Sequence, residues 1–417
     1  MTEHLPFRVL VVEDDDLWLD DMKSAIEETN LKNHQGTVIY CTNSTDAEKA
    51  LKRNHFHIAS LDQKIPSAAG ANVSISTGAE LTRTTRGTYP FTDICVYTGF
   101  DSTEIGAAAG DNTLILRKNA PGEEGTTPGK WARELESRLQ GGYFRFYFRQ
   151  AENHLPPHLA SVAAFVFQAL QSQQWQRCVS HGIQFWSLTL RIALAQAQGL
   201  CHHYRKHWKL ANADNYAVME QTLSTLLGRL GAERLTPWRP YIGKGGNNRG
   251  VGKTFVCKGS KPLRKIRNDL AHGSSFKPWD KKFDEMQPYL FRVMDAAAFW
   301  GSFPMATRIR QKDHGYFGQL LQGTGYPWRE SPLPAPPNFQ PESNHVYLRW
   351  ADGNGQTEWV DLWPFIQVEF DNRLNREVIW VAGNRWKKRW FRCSLQDGKT
   401  RPWNPPDDVR KILELAE

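Results

Sequence analysis

Four positions in the first third of the chain combine the side-chain types that move a phosphoryl group. Glu13 and Asp14 form an acidic pair, Asp62 follows the apolar run FHIASL, and Lys118 follows TLILR. A carboxylate can accept a phosphoryl group when a divalent cation neutralises the phosphoryl oxygens and an ammonium takes up the remaining charge. Neighbouring acids hold such an ion directly or through water. A second set lies further along, in LRKIRNDLAHGSSF, where Arg267 and His272 are five residues apart on one expected helix, or across its last turn before Gly273. An imidazole moves protons and a guanidinium grips phosphate with two hydrogen bonds. The pair therefore suits cleavage of an RNA backbone by its own 2′-hydroxyl, with no metal.

The first chemistry requires the acids and the lysine at one edge of one sheet. Strand-like runs FRVLVV, TVIYC, FHIASLD, ICVYTG and TLILRK alternate with helix-length runs up to residue 140. Short apolar strands so separated predict a doubly wound, five-stranded parallel α/β sheet that gathers ligands at the carboxyl ends of its strands. Glu13 and Asp14 end the first strand, Asp62 the third and Lys118 the fifth. From Pro156 to Trp300 long helical segments predict an all-α bundle, interrupted by the Gly- and Asn-rich stretch GKGGNNRGVGK. After SPLPAPPNFQP, the runs HVYLRW, EWVDLWPFI, VEFD, EVIWVAG and RWFRCSL, separated by DG and NG turn signals, predict a small C-terminal antiparallel β domain. The expected division is a first domain over 1–140, a helical domain over 141–330, a proline-rich linker over 331–341 and a β domain over 342–417.

The segments VLVVEDD, LDQKIP, VYTG and LRK stand in the order and strand positions of the receiver domain of two-component response regulators, which residues 6–140 resemble. The resemblance implies that Asp62 accepts a phosphoryl group from a sensor histidine kinase or another phosphodonor. It implies that Glu13, Asp14, Asp62 and the backbone carbonyl of Lys64 bind Mg²⁺, that Thr98 senses the phosphoryl group, and that Lys118 pairs with it. Phe100 takes the place of the aromatic switch. Two departures stand out. The glycine that usually follows the LDxxxP proline by three residues comes only at Gly78, after SAAGANVSIST, and Asn119 follows Lys118 where receivers usually carry a proline that aims the lysine. For any one acid the alternative is a helix cap, but four matching strand ends together argue against it.

The RxxxxH arrangement, with Asn268 after the arginine and helices around it, resembles the HEPN superfamily, many of whose members are ribonucleases. That resemblance implies His272 as general acid or base, Arg267 holding the scissile phosphate and Asn268 positioning one of them. It also implies a homodimer in which two motifs form one composite site. Taken together, the two resemblances imply a phosphorylation-regulated response regulator with a metal-independent endoribonuclease effector, suited to stress response or phage defence. The alternative is a helix whose Arg267 and His272 merely offset the C-terminal dipole, in a non-catalytic, phosphorylation-dependent adaptor for a protein or nucleic acid.

Charge separates the chain into an acidic front, −7 over residues 1–140, and a basic rear, +15 over the remainder. The basic rear favours a polyanion such as RNA. GGNNRGVGKT approaches a P-loop, but Asn247 stands where that loop requires glycine, so Lys244, Arg249, Lys253 and Lys258 read instead as a basic RNA-touching loop. Six scattered cysteines predict neither a zinc site nor a disulfide framework. The sequence carries no membrane-length apolar run and no signal-peptide pattern at its start, from which a cytoplasmic location is expected. In NRWKKRWFRCS aromatic rings alternate with cations, as a single strand of nucleic acid would require. The alternative there is an ordinary sheet whose aromatic face, with Trp350, Trp359 and Trp363, forms the core.

Overall fold

The structure, a computed structural model, describes residues 8–29, 37–53, 56–89, 92–99, 113–118, 125–140, 151, 154–207, 215–230, 258–272, 278–301, 303–312, 315–323, 328–334, 339–342, 344–351, 357–371, 376–385, 389–395 and 400–414. Residues 1–150 and 151–417 form two compact units.

The first unit is built on β1 (Arg8–Val12), β2 (Thr37–Cys41), β3 (Ile58–Leu61), β6 (Asp93–Thr98) and β7 (Leu114–Arg117), all parallel, in the order β2-β1-β3-β6-β7. Every residue of β3 and β6 is buried, which is why those strands read as unbroken apolar runs rather than alternating ones. The described helices of the unit are α1 (Asp16–Glu27), α2 (Ser44–Arg53), α3 (Ile75–Thr88) and α4 (Pro128–Gln140). The strand order reverses between β1 and β3, and the carboxyl ends flanking that reversal form the crevice where such sheets take their ligands. This is the doubly wound parallel fold expected from the alternation of strands and helices.

The insertion after Pro66 has a structure of its own. Ile65–Pro66 (β4) pairs antiparallel with Val73–Ser74 (β5), returning the chain directly into α3. Gly78 sits in the first turns of α3, where an added Cβ would lie 2.2 Å from the carbonyl oxygen of Gln63. The delayed glycine thus lets α3 press against the backbone just past Asp62, a contact no side chain would allow. At the other side of the sheet, Trp131 of α4 donates its indole N–H to Ser60 Oγ at 2.9 Å and stacks on Tyr97, centroids 5.8 Å apart.

In the second unit, the 29-residue helix α6 (Trp175–His203) packs against α5 (Pro157–Gln171), α7 (Tyr216–Leu230) and α9 (Trp279–Gly301), while α8 (Lys258–His272) packs on α9. Strands β8 (Met305–Lys312), β9 (Gly315–Leu320), β10 (Glu330–Leu333), β11 (Val346–Ala351) and β12 (Thr357–Asp361) form a sheet in the order β10-β9-β8-β11-β12. Strands β13 (Ile366–Asp371), β14 (Arg376–Arg385), β15 (Arg389–Ser394) and β16 (Thr400–Pro402) form a second, antiparallel sheet, followed by α10 (Asp407–Glu414).

Strands therefore begin at Met305, ahead of the expected 342, and the proline-rich stretch contributes β10 rather than a linker throughout. Pro332, opposite Phe317, is tolerated because β10 is an edge strand and its missing N–H interrupts no ladder. Helices and strands share one unit: an added Cβ on Gly199 of α6 would lie 2.5 Å from Leu362 Cδ2, just past β12. Among the described residues, no helix is long and apolar enough to cross a membrane, and Cys41, Cys95, Cys178, Cys201 and Cys393 are buried and form no disulfide.

His57 ties the start of β3 to β1. Its buried Nδ1 accepts the Arg8 N–H at 3.0 Å, and burial, with Arg8 nearby, pushes the imidazole down to about 3. A histidine kept neutral in the fold but free to protonate when unfolded near its ordinary value of 6.5 stabilises the unit above that value. This contribution drains away as pH falls from there toward 3, by about 1.4 kcal/mol per pH unit. His57→Gln, which keeps an acceptor without the titration, is expected to flatten this acid loss, as read by urea unfolding or by exchange of the Arg8 amide.

Candidate functional site

Glu13, Asp14 and Asp62 bring one carboxylate oxygen each to within 4.8 Å of one another at the reversal point of the first sheet. Glu13 and Asp62 are buried and Asp14 is half-buried, so the cluster opens to solvent on the Asp14 side. The next acid, Asp15, serves the adjoining helix instead. Its Oδ1 accepts the N–H groups of Leu17 at 2.9 Å and Trp18 at 3.2 Å and caps α1. Of the four consecutive acids Glu13–Asp16, the fold thus uses two for the cluster, one to cap the helix and one in the first turn of that helix.

Asp62 is held from two directions. Its Oδ1 accepts the backbone N–H of Gln63 at 2.6 Å and that of Lys64 at 3.4 Å, and its Oδ2 accepts from Lys118 Nζ at 2.8 Å. The same ammonium lies 2.6 Å from Glu13 Oε2. The lysine is aimed without a proline after it. Its backbone N–H donates to the Thr98 carbonyl at 2.8 Å, and its Nζ lies 5.6 Å from the ring centre of Trp18 and 5.8 Å from that of Tyr97. Tyr97 is fixed in turn by its hydroxyl, which donates to the Thr126 carbonyl at 2.7 Å, and by its stacking on Trp131. Thr98, wholly buried, closes β6 beside the lysine. Phe100 lies outside the described residues. Trp18 and Tyr97 are not among the site residues expected from the sequence. Their identities give no local signal, because only the fold places a residue of α1 and one of β6 around a lysine after β7.

Charge explains what the cluster would hold. Burial pushes the Glu13 carboxyl up to about 7, Lys118 pulls it back, and the Asp62 charge adds to the rise. Burial also raises Asp14. Burial opposes the charge on Lys118, but Asp62 and Glu13 outweigh it and hold the ammonium above its ordinary range. Two of the three carboxylates share one ammonium, and an all-oxygen donor set of this charge suits Mg²⁺.

The proton on Glu13 competes with a metal. Without an ion, the raised carboxyl favours the fold fully below its ordinary 4.5, and that contribution is lost as pH rises through about 7. Mg²⁺ needs the ionised form, so its affinity is expected to rise with pH up to about 7, by as much as tenfold per unit, and then level off. Tryptophan fluorescence during Mg²⁺ titrations between about pH 5.5 and about pH 8 checks this, with Glu13→Gln expected to abolish the slope.

Arg267 and Asn268 lie together on α8: Arg267 Nη1 donates to Asn268 Oδ1 at 3.1 Å. The Arg267 guanidinium sits 5.4 Å from the ring centre of Tyr216, and that of Arg191, buried in α6, sits 5.8 Å from the same ring. Trp186 stacks on Tyr216 at 4.8 Å. Tyr216 and Arg191 are neighbours that the motif does not suggest. Asp269 pairs with Lys282 at 3.5 Å. His272 ends α8, and its side chain lies outside what the structure describes, as do Lys244, Arg249, Lys253 and the side chain of Lys258.

No family model matches the chain, and no curated protein matches it. Among solved structures it is similar to a CheY-like response regulator receiver domain protein from Methanospirillum hungatei JF-1, at 20% identity over 33% of this chain and 95% of that one, with a TM-score of 0.25. It is similar to the response regulator DrrB, a Thermotoga maritima OmpR/PhoB homolog, at 19% identity over 33% of this chain and 54% of that one, TM-score 0.26. A third likeness is to the BeF3-activated DrrB receiver domain, at 18% identity over 33% of this chain and 99% of that one, TM-score 0.25.

Proposed function

We propose that the first unit is a phosphoacceptor receiver in a phosphorylation-regulated response regulator, with Asp62 as the acceptor. The observation that carries this reading is the Lys118 ammonium shared between Asp62 at 2.8 Å and Glu13 at 2.6 Å, inside a cluster of three carboxylates. Glu13, Asp14, Asp62 and the Lys64 carbonyl would hold Mg²⁺, which when bound offsets negative charge on the phosphoryl oxygens. Asp62 Oδ attacks the phosphorus of a donor such as the phosphohistidine of a sensor kinase. The new O–P bond forms as the donor's N–P bond breaks, and the released imidazole takes up a proton. Lys118 then turns from the carboxylate to the phosphoryl oxygens, keeping its contact with the Trp18 and Tyr97 rings. Thr98 at the end of β6 follows the new charge.

Incubation with acetyl phosphate and Mg²⁺ is expected to give one acid-stable, base-labile phosphoryl group, seen as a mobility shift in a phosphate-affinity gel. Asp62→Asn should remove it. An unchanged shift in that variant, or none in the wild type, would sink the assignment.

For the output we propose RNA cleavage by Arg267 and His272, with Asn268 positioning and no metal, at a site completed by a second copy of the chain. Two guanidinium groups gathered around Tyr216 in a basic half of the molecule favour an anionic occupant. His272 would take the 2′-hydroxyl proton while Arg267 holds the phosphate, and phosphorylation would act by changing dimerisation. His272→Ala is expected to lower cleavage of a mixed RNA pool by about a hundredfold or more without altering phosphorylation at Asp62. Cleavage that persists in this variant, or is absent from the wild type in both phosphorylation states, would favour an adaptor that binds its partner without cutting.

A further inference from the structure

The second unit holds a cavity of about 690 Å³, bordered by β8, β13, β15 and the residues leading into α10. That volume lies within the range of small-molecule sites. Two features of its wall are unlike ordinary sheet surface.

The first is Arg308. The register of β8 against β9 slips between Thr307 and Arg310, and at this bulge Arg308 takes φ 52°, the left-handed region that glycine occupies far more readily. A bulge redirects one side chain, and here it places an exposed arginine on the cavity. Gln173 and Arg205 take the same conformation beyond helix ends, whereas at Arg308 it falls within a strand and beside a cavity, where such strain points to a role for the side chain.

The second is Trp363. Its indole stacks almost parallel on His345, centroids 4.8 Å apart and planes 5° apart. His345 Nδ1 lies 2.7 Å from Asp361 Oδ2, and Asp361 Oδ1 accepts the Trp363 backbone N–H at 2.8 Å. The ring is therefore locked while it lines the cavity. Sequence alternation assigns it to the core with Trp350 and Trp359. Those two are buried, whereas Trp363 is half-exposed.

Asn344 and Gln367, whose side-chain amides are of the sort that read the edge of a heterocycle, also line the cavity, and Gln367 donates one N–H to the Pro364 carbonyl at 3.3 Å. Arg392 also lines the cavity, but Glu369 neutralises it at 2.5 Å, and Asp408 adds one further carboxylate. The wall's formal charges cancel, so it has no excess of cations to hold a triphosphate, and an anion on it must be met locally by Arg308.

We propose that this cavity binds a nucleoside monophosphate unit, its base stacked on Trp363 and its phosphate on Arg308. The proposal does not depend on phosphorylation at Asp62 or on RNA cleavage. The same unit could come from a free nucleotide or from a single-stranded RNA, and both belong in the test.

Calorimetric titration of the full chain would use AMP, GMP, CMP and UMP, their nucleosides, inorganic phosphate and a single-stranded RNA tetramer. At least one monophosphate is expected to bind more tightly than its nucleoside and than phosphate alone. Arg308→Gly relieves the left-handed backbone, so its thermal midpoint should equal or exceed that of wild type while monophosphate affinity falls roughly tenfold or more. Nucleoside affinity should be unchanged in that variant and lost in Trp363→Ala. Tighter binding of the tetramer than of any monophosphate, with the same dependence on both residues, supports the site and assigns its occupant to a strand. Absence of binding by every titrant, or an Arg308→Gly protein that binds monophosphate as tightly as wild type, overturns the proposal.

Discussion

Three carboxylates brought together at one point of a sheet repel one another, and the first unit is organised around that repulsion. Its internal answer is one ammonium, Lys118, within 2.8 Å of Asp62 and 2.6 Å of Glu13. The arrangement needs β1, β3 and β7 to end at the same level, and parallel pairing through β6 secures this. It also needs the lysine aimed, and the rings of Trp18 and Tyr97 serve where a following proline is absent. The remaining excess of negative charge suits the cluster to a divalent cation.

Packing around the cluster follows from the same requirement. Asp15 leaves the acidic run to cap α1, which keeps Trp18 at the site. Gly78 brings α3 onto the Gln63 backbone and so holds the residue after Asp62 in place, even though eleven residues separate Pro66 from this glycine. Trp131 clamps α4 to Ser60 and Tyr97, linking this helix to the strand that leads to Asp62 and to the ring beside the lysine.

The second unit combines well-paired sheets with local departures from their easiest conformation. Pro332 sits on an edge strand, where it costs no ladder hydrogen bond. Arg308 is different, because a non-glycine residue in left-handed backbone carries about 1–3 kcal/mol of strain, and the same fold would be easier to form with glycine there. Around Tyr216, Arg191 and Arg267 share one ring although their charges repel.

The sequence by itself determined what depends on neighbours along the chain. The runs FRVLVV and FHIASLD show where β1 and β3 end, and with them where Glu13, Asp14 and Asp62 must lie. The helical periods of LRKIRNDLAH put Arg267 and Asn268 on one helix. Only the tertiary structure decided what depends on distant partners. SPLP reads as a linker until Phe317 pairs with Pro332, and Trp363 reads as a core residue until His345 covers one face and a cavity opens beside it. The cage around Lys118 joins residues from α1, β6 and the end of β7, and its central contact spans 56 positions. Strand and helix periods are short-range and leave a local trace, whereas a contact between a ring and a cation far apart in the chain leaves none until packing brings them together.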